Sequence, residues 1–121
     1  MNNKMWLFVA IIAAAFIAFR LMAKPDAGEK AAAREKIKQG ALVVDVRTPD
    51  EYDAGHYANA TNIPVSEISK RAGELGDKNR AIVVYCAAGM RAAQAKSALV
   101  KAGFKDVTNA GGLSDLQPAK N

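Results

Sequence analysis

The sequence predicts an α/β domain with a central, mostly parallel sheet, preceded by one transmembrane helix. Three observations carry this reading. Residues 41–46 and Ala81–Cys86 are apolar, β-branched runs of strand length, the pattern of strands covered on both faces. Helix-forming segments separate the strands, which argues for parallel pairing with crossover helices. Residues 5–19 form an uncharged run of 15 residues, which continues past Arg20 through Leu21, Met22 and Ala23 to a stretch of 19, about the length that a bilayer requires.

The rival reading of that segment is a cleaved signal peptide, whose apolar stretch need be only about 7 to 15 residues and is followed by a small-x-small site. Leu21-Met22-Ala23 places a large residue where that pattern wants a small one, and Arg20 lies just upstream. Arg20 can instead snorkel to the headgroups. Residues 1–24 are therefore expected to be an uncleaved, single-pass anchor in the inner (cell) membrane. Periplasmic release after cleavage is the alternative. Lys4 and the amino terminus stand against Arg20, Lys24, Lys30, Arg34, Lys36 and Lys38. Basic residues close to a membrane tend to stay cytoplasmic, so the domain is expected on that side.

With 121 residues in all, the remainder suits one small domain and is too short for two. The formal net charge is +5, but without Lys4, Arg20 and Lys24 the chain holds 14 basic against 12 acidic side chains, a net of +2. Nucleic-acid binding thus has little support. Cys86 is the only cysteine and His56 the only histidine, which excludes an intrachain disulfide and any zinc site built from several Cys and His ligands. No metal and no cofactor is expected.

Along the chain, Lys24 to Gly28 is a short polar hinge, and residues 29–39 are good helix formers stopped by Gly40. Most of that helix is expected in water, so residues 25–40 read as linker and first helix, and residues 41–117 as the domain. After the first strand, Pro64 precedes a segment with Val65, Ile68, Ala72 and Leu75 on one helical face. Residues 92–102 read as a helix closed by Gly103, and residues 106–109 as a third short strand. Gly111-Gly112 reads as a turn, and residues 117–121 as a polar tail.

The chemistry concentrates in Cys86-Ala87-Ala88-Gly89-Met90-Arg91, which leaves the C-terminal end of the strongest strand and enters a helix. Ligands of open α/β sheets bind at that edge. Small residues let successive backbone N–H groups converge on one point, and a helix N-terminus adds partial positive charge, so the concavity favours an anion. Arg91 adds a full charge on a fork matched to an oxyanion. Such a field stabilises the Cys86 thiolate as a nucleophile. The competing reading is a buried strand-end cysteine beside an ordinary turn, and the Cys-x4-Arg spacing gains weight only from its place between strand and helix.

The chain also contains Asp45-Val46-Arg47, Glu51-Tyr52, Gly55-His56, Ala60-Thr61-Asn62-Ile63-Pro64 and Asn109-Ala110-Gly111-Gly112. In order and spacing these motifs, over roughly residues 41–113, resemble the rhodanese-like family, closest to its small single-domain bacterial members. The resemblance implies a three-layer domain with a four- or five-stranded sheet, and a sulfurtransferase such as a thiosulfate sulfurtransferase. Cys86 would take sulfur from a small anionic donor, become a persulfide and pass the sulfur to a thiophilic acceptor, or exchange it with a protein persulfide. It further implies that backbone amides of Ala87, Ala88, Gly89, Met90 and Arg91 bind the donor, that Arg47 pairs with Glu51 to pin a turn, and that Asp45, Arg47, Glu51 and His56 are structural support. A catalytic Cys86-His56 pair is disfavoured. Two departures stand out: no extra strand is evident before residue 41, and Leu113-Ser114-Asp115-Leu116 occupies the place where many members have tryptophan.

Two other functions compete. Phosphatases and arsenate reductases related to this family use a Cys-x5-Arg loop, one residue longer, because a tetrahedral group needs more room than one sulfur atom. A membrane-tethered sulfur-relay or docking module would use the same cysteine, since tethering raises effective concentration without new contacts.

Overall fold

The structure is a computed structural model that describes residues 3–117. An apolar helix, α1, spans Asn3–Met22, and α2 spans Ala27–Lys38. The Asp26 carboxylate starts α2 by accepting the Glu29 N–H at 2.8 Å, which satisfies an amide that the first helical turn leaves open. Strand β1 (Leu42–Asp45) leads to α3 (Pro49–Asp53), a single turn fixed by a capping box between Thr48 and Glu51 and by Pro49 at its first position. Strand β2 (Thr61–Asn62) precedes two short 3-10 turns, Val65–Glu67 and Ala72–Leu75, on either side of α4 (Ile68–Arg71). Strand β3 (Ala81–Cys86), α5 (Met90–Lys101), β4 (Asp106–Gly112) and α6 (Leu113–Leu116) complete the domain.

The sheet has four strands in the order β2-β1-β3-β4, all parallel. Side chains alternate faces along each strand. Ile82, Val84 and Cys86 point to the face covered by α4 and α5, among Val44, Val46, Ile68, Leu75, Leu99 and Phe104. Val83 and Tyr85 point to the other face, beneath Ala33 of α2, Ala60 and Leu116 of α6. Each buried aliphatic side chain contributes about 1.5 to 3 kcal/mol. The result is the three-layer, parallel α/β fold that the sequence predicts, with four strands.

Several elements differ in detail from their sequence reading. The segment after Pro64 is three short pieces instead of one helix, although Ile68, Ala72 and Leu75 do reach the core. Two residues were too few to signal β2. Gly111-Gly112 is not a turn: both glycines are buried and continue β4. An irregularity in the β3–β4 register places Gly112 opposite Cys86. Helix α2 keeps one face in water but packs on β4, with Ala33 fully buried and Lys36 paired with Asp106. The tail beyond Gln117 lies outside the described residues.

The expected Arg47–Glu51 pair is replaced by a buried network at the end of β1. Asp45 is fully buried and needs a countercharge, which Arg47 supplies through Nη2 at 2.6 Å and Nε at 3.0 Å. The Arg47 amide and the Tyr85 hydroxyl donate to the same carboxylate at 2.9 and 2.7 Å. Arg47 Nη2 also reaches the Gly55 carbonyl at 2.7 Å, and the Tyr57 amide donates to the Tyr85 hydroxyl at 3.0 Å. Burial is the main cause that pushes the Tyr85 hydroxyl up to about 12, so it stays a donor. Among the described residues no buried side-chain nitrogen or oxygen lacks a partner.

Replacing Asp45 by Ala leaves a buried guanidinium unpaired. We expect unfolding free energy to fall by about 3 to 5 kcal/mol in chemical denaturation. A loss below about 1 kcal/mol would show that Arg47 finds water instead.

Candidate active site

Strand β3 delivers Cys86 to the C-terminal edge of the sheet, and the chain turns at once into α5. Gly89 makes the turn possible: it caps α5 at φ +99°, a left-handed conformation that residues with a β-carbon adopt with strain. The turn aims two backbone amides at the sulfur. The Gly89 N–H donates to Cys86 Sγ at 2.9 Å and the Ala92 N–H at 3.4 Å. Cys86 itself is 1% exposed, whereas Ala87, Ala88 and Met90 are exposed. The sulfur therefore sits in a cradle of amide dipoles at the N-terminus of a three-turn helix, which favours negative charge on it.

Strand β4 holds the loop from behind. Asn109 Nδ2 donates to the Gly89 carbonyl at 3.0 Å, and its Oδ1 accepts the Gly111 N–H at 2.8 Å. The Asn109 amide donates to Glu29 of α2 at 2.9 Å, and Glu29 also binds Lys96 at 2.7 Å. A β-carbon on Gly112 would overlap the Ala87 carbonyl oxygen, so only glycine lets β4 run this close to the loop. Gly111 adopts φ +88° beside Asp115, which accepts the Gly112 N–H at 2.8 Å and pairs with Lys30 at 3.2 Å. From the other side, the Pro25 ring packs on Gly89.

The Arg91 fork is occupied by the Glu51 carboxylate: Nη1 to Oε1 is 2.6 Å and Nη2 to Oε2 is 3.0 Å. Glu51 is itself placed by the capping box of α3. Its hydrogen bonds to Arg91, first, and to the Thr48 backbone hold its carboxyl at about 2, well below the ordinary 4.5. Arg91 is raised correspondingly, chiefly by that bond and further by the nearby Cys86 sulfur. The two arginines of the site are thus both paired, Arg91 with Glu51 and Arg47 with Asp45.

His56 stands apart from the thiol. Its Nδ1–H donates to the Tyr52 carbonyl at 2.9 Å, and its ring stacks on Tyr52 with centroids 3.6 Å apart. The structure thus brings Cys86, the 87–91 loop, Arg91 and Glu51 together, leaves Asp45 and Arg47 one strand away beneath them, and places His56 on the α3 turn. Sequence reasoning gave Asn109, Glu29 and Pro25 no role. Asn109 opens the Asn109-Ala110-Gly111-Gly112 motif, which was a signal for it, but Glu29 and Pro25 lie far from Cys86 in the chain and carried none. Among the described residues no group of three or more His, Cys, Asp or Glu is arranged to hold a metal ion.

Residues 29–118 match the rhodanese-like domain family. The thiosulfate sulfurtransferase PspE of Escherichia coli is 44% identical over 78 residues, covering 64% of this chain and 75% of PspE. The thiosulfate sulfurtransferase GlpE of Coxiella burnetii is 33% identical over 70 residues, covering 58% of this chain and 64% of GlpE. Among solved structures, a rhodanese with anions from E. coli superposes with a TM-score of 0.60 at 43% identity, covering 63% of this chain and 91% of that one. These relatives support sulfurtransferase activity as the general chemistry. A parallel four-stranded sheet, a cysteine loop at its C-terminal edge and the family match agree, and the chain belongs to the rhodanese-like domain family.

Proposed function

We propose that the protein moves sulfane sulfur from an anionic donor such as thiosulfate to a thiophilic acceptor through a Cys86 persulfide. The observation that carries this reading is the pair of amide hydrogen bonds on Cys86 Sγ. The Cys86 thiolate attacks the outer sulfur of the donor, the S–S bond breaks, and sulfite leaves with its electron pair. The outer sulfur now on Cys86 is attacked in turn by the acceptor, and the thiolate is regenerated. Backbone amides of Ala87, Ala88, Gly89, Met90 and Arg91 bind the outer sulfur and the donor anion. Their preorganised dipoles stabilise charge without reorganising, which is where such sites gain most.

Asp45, Arg47, Glu51 and His56 are scaffold in this reading. Asp45 and Arg47 fix the end of β1, His56 holds the turn after α3, and Glu51 locks Arg91 so that the first turn of α5 keeps its place. With its fork on Glu51, Arg91 lends positive potential rather than a free clamp. The Cys-x4-Arg spacing and the small amide cradle favour sulfur over phosphate or arsenate.

The chain is organised as residues 1–24, an anchor; residues 25–40, linker and first helix; and residues 41–117, the domain. The support for an anchor is that the stretch Asn3–Arg20 is long and apolar enough to cross a membrane and none of it is buried in the protein. Trp6, Leu7, Phe8, Ile12, Phe16 and Phe19 all face outward, which water disfavours and lipid does not. A signal sequence has the same composition, and recovery of Met1 to Ala23 in the mature protein decides between them. The excess of Lys and Arg after the span favours a cytoplasmic domain.

Intact mass after incubation with thiosulfate should rise by one sulfur atom, and Cys86→Ser should abolish both that gain and transfer to cyanide. An unchanged mass with rapid aryl-phosphate hydrolysis would reverse the assignment.

Gly112→Ala should push the Ala87 carbonyl and the loop out of register, and a displacement on the order of 1 Å costs about a hundredfold in transfer rate. Near-normal turnover by this variant would mean that the cradle tolerates movement.

The Glu51–Arg91 pair has a defined pH window. Because the folded carboxyl is depressed from 4.5 to about 2, its stabilisation is complete above pH 4.5 and is lost as pH falls through about 2. Glu51→Gln should therefore be less stable than the parent above pH 4.5, with the gap closing toward pH 2 in denaturation curves. A constant gap across that range would assign Glu51 a role independent of its charge.

A further inference from the structure

The route by which α1 joins the domain bears directly on the cysteine loop. Only Ala23 and Lys24 lie between the end of α1 at Met22 and Pro25, and three residues of chain reach at most about 11 Å. Pro25 is not free: a β-carbon on Gly89 would lie 3.0 Å from its ring. Directly after Pro25, Asp26 caps α2, and α2 is locked to the site through Glu29 with Lys96 and the Asn109 amide, and through Lys30 with Asp115. The point at which the chain leaves its apolar helix is therefore fixed on the rim of the Cys86 loop. Although α1 lies against α5 here, none of its apolar stretch is buried, so lipid can replace that contact at little cost.

The rim has the chemistry of a surface that meets a bilayer. Ala87, Ala88 and Met90 are apolar and exposed, with Met90 at 52%. Around them the carboxylates of Glu51, Asp115 and Glu29 are each neutralised by Arg91, Lys30 and Lys96. Arg20 and Lys24 are exposed at the end of the span, where each basic residue gains about 1 kcal/mol near anionic lipid. The opposite edge of the sheet, at Asn79, lies about 20 Å away along β3.

We propose that the loop edge of the domain docks on the headgroup layer of an anionic bilayer, so that the mouth of the Cys86 site opens onto the membrane surface. The proposal rests on α1 being an uncleaved anchor. The short tether forbids any arrangement with the loop edge far from the exit point, and the exposed apolar side chains of the loop, with Glu51, Asp115 and Glu29 each ion-paired beside them, let that edge approach lipid.

Full-length protein with Cys86→Ser and either Ala88→Cys or Asn79→Cys carries one thiol for a fluorophore. Each is reconstituted in vesicles of phosphatidylglycerol and phosphatidylethanolamine with a quencher on the headgroup, after an alkaline wash. Retention in the vesicles with quenching several-fold stronger at position 88 than at 79 supports the docked edge. Retention with equal quenching, or with stronger quenching at 79, overturns it while leaving the anchor intact. Loss of the protein in the wash removes the anchor and this inference with it.

Discussion

Two amide hydrogen bonds to one sulfur organise this structure. For the Gly89 and Ala92 amides to converge on Cys86 Sγ, β3 must end at the sheet edge, the loop must be tight, and α5 must begin within four residues. Each requirement is met by a different part of the chain. The left-handed conformation of Gly89 closes the turn, Asn109 of β4 holds its carbonyl, and Gly112 leaves the space that a β-carbon would take from Ala87. A cradle of backbone dipoles needs no side-chain rearrangement when charge arrives, and so its support is spent on rigidity.

Charge around the cradle is matched pair by pair. Arg47 meets Asp45 in the interior, Arg91 meets Glu51 at the rim, and Lys30 and Lys96 meet Asp115 and Glu29 where α2 comes down on β4. The interior pair differs in kind from the others. Asp45 is wholly excluded from water and accepts from Tyr85 as well as Arg47, so removing one partner strands a charge. The rim pairs are partly solvated and contribute less to stability. Their effect is largely positional: they fix α2, α3 and α5 around the loop, while the amides and the helix N-terminus face the sulfur directly.

The same rim joins the domain to its apolar helix. Pro25 and the N-terminal turn of α2 contribute to the wall of the loop, so the linker is part of the site's architecture and not a loose tether. The cysteine-loop edge of the domain thus lies close to the place where the chain leaves α1.

How much of this was legible beforehand depends on chain distance. Strand β3 was readable to the residue, because Ala81–Cys86 is a continuous apolar run between polar turns, and the alternation of strands with helices gave a parallel sheet. The cysteine loop was readable too, since strand, small residues, arginine and helix follow one another locally. Gly111-Gly112 misled, because a glycine pair signals a turn as readily as close strand approach, and only the position of Ala87 separates the two. The Arg47–Glu51 pair that the family resemblance implied is not formed either: Glu51 and Asp45 are both near Arg47 in the chain, and burial of Asp45 decides which one needs the guanidinium. The sequence by itself therefore determined the main strands and helices, β1, β3, α2 and α5, and the parallel topology, and it singled out Cys86 as the candidate, all of which follow from local pattern. Tertiary structure alone decided the pairing of Arg91 with Glu51, the support of Gly89 by Asn109 and Pro25, and the need for glycine at 112, because contacts between distant segments depend on how closely the layers pack.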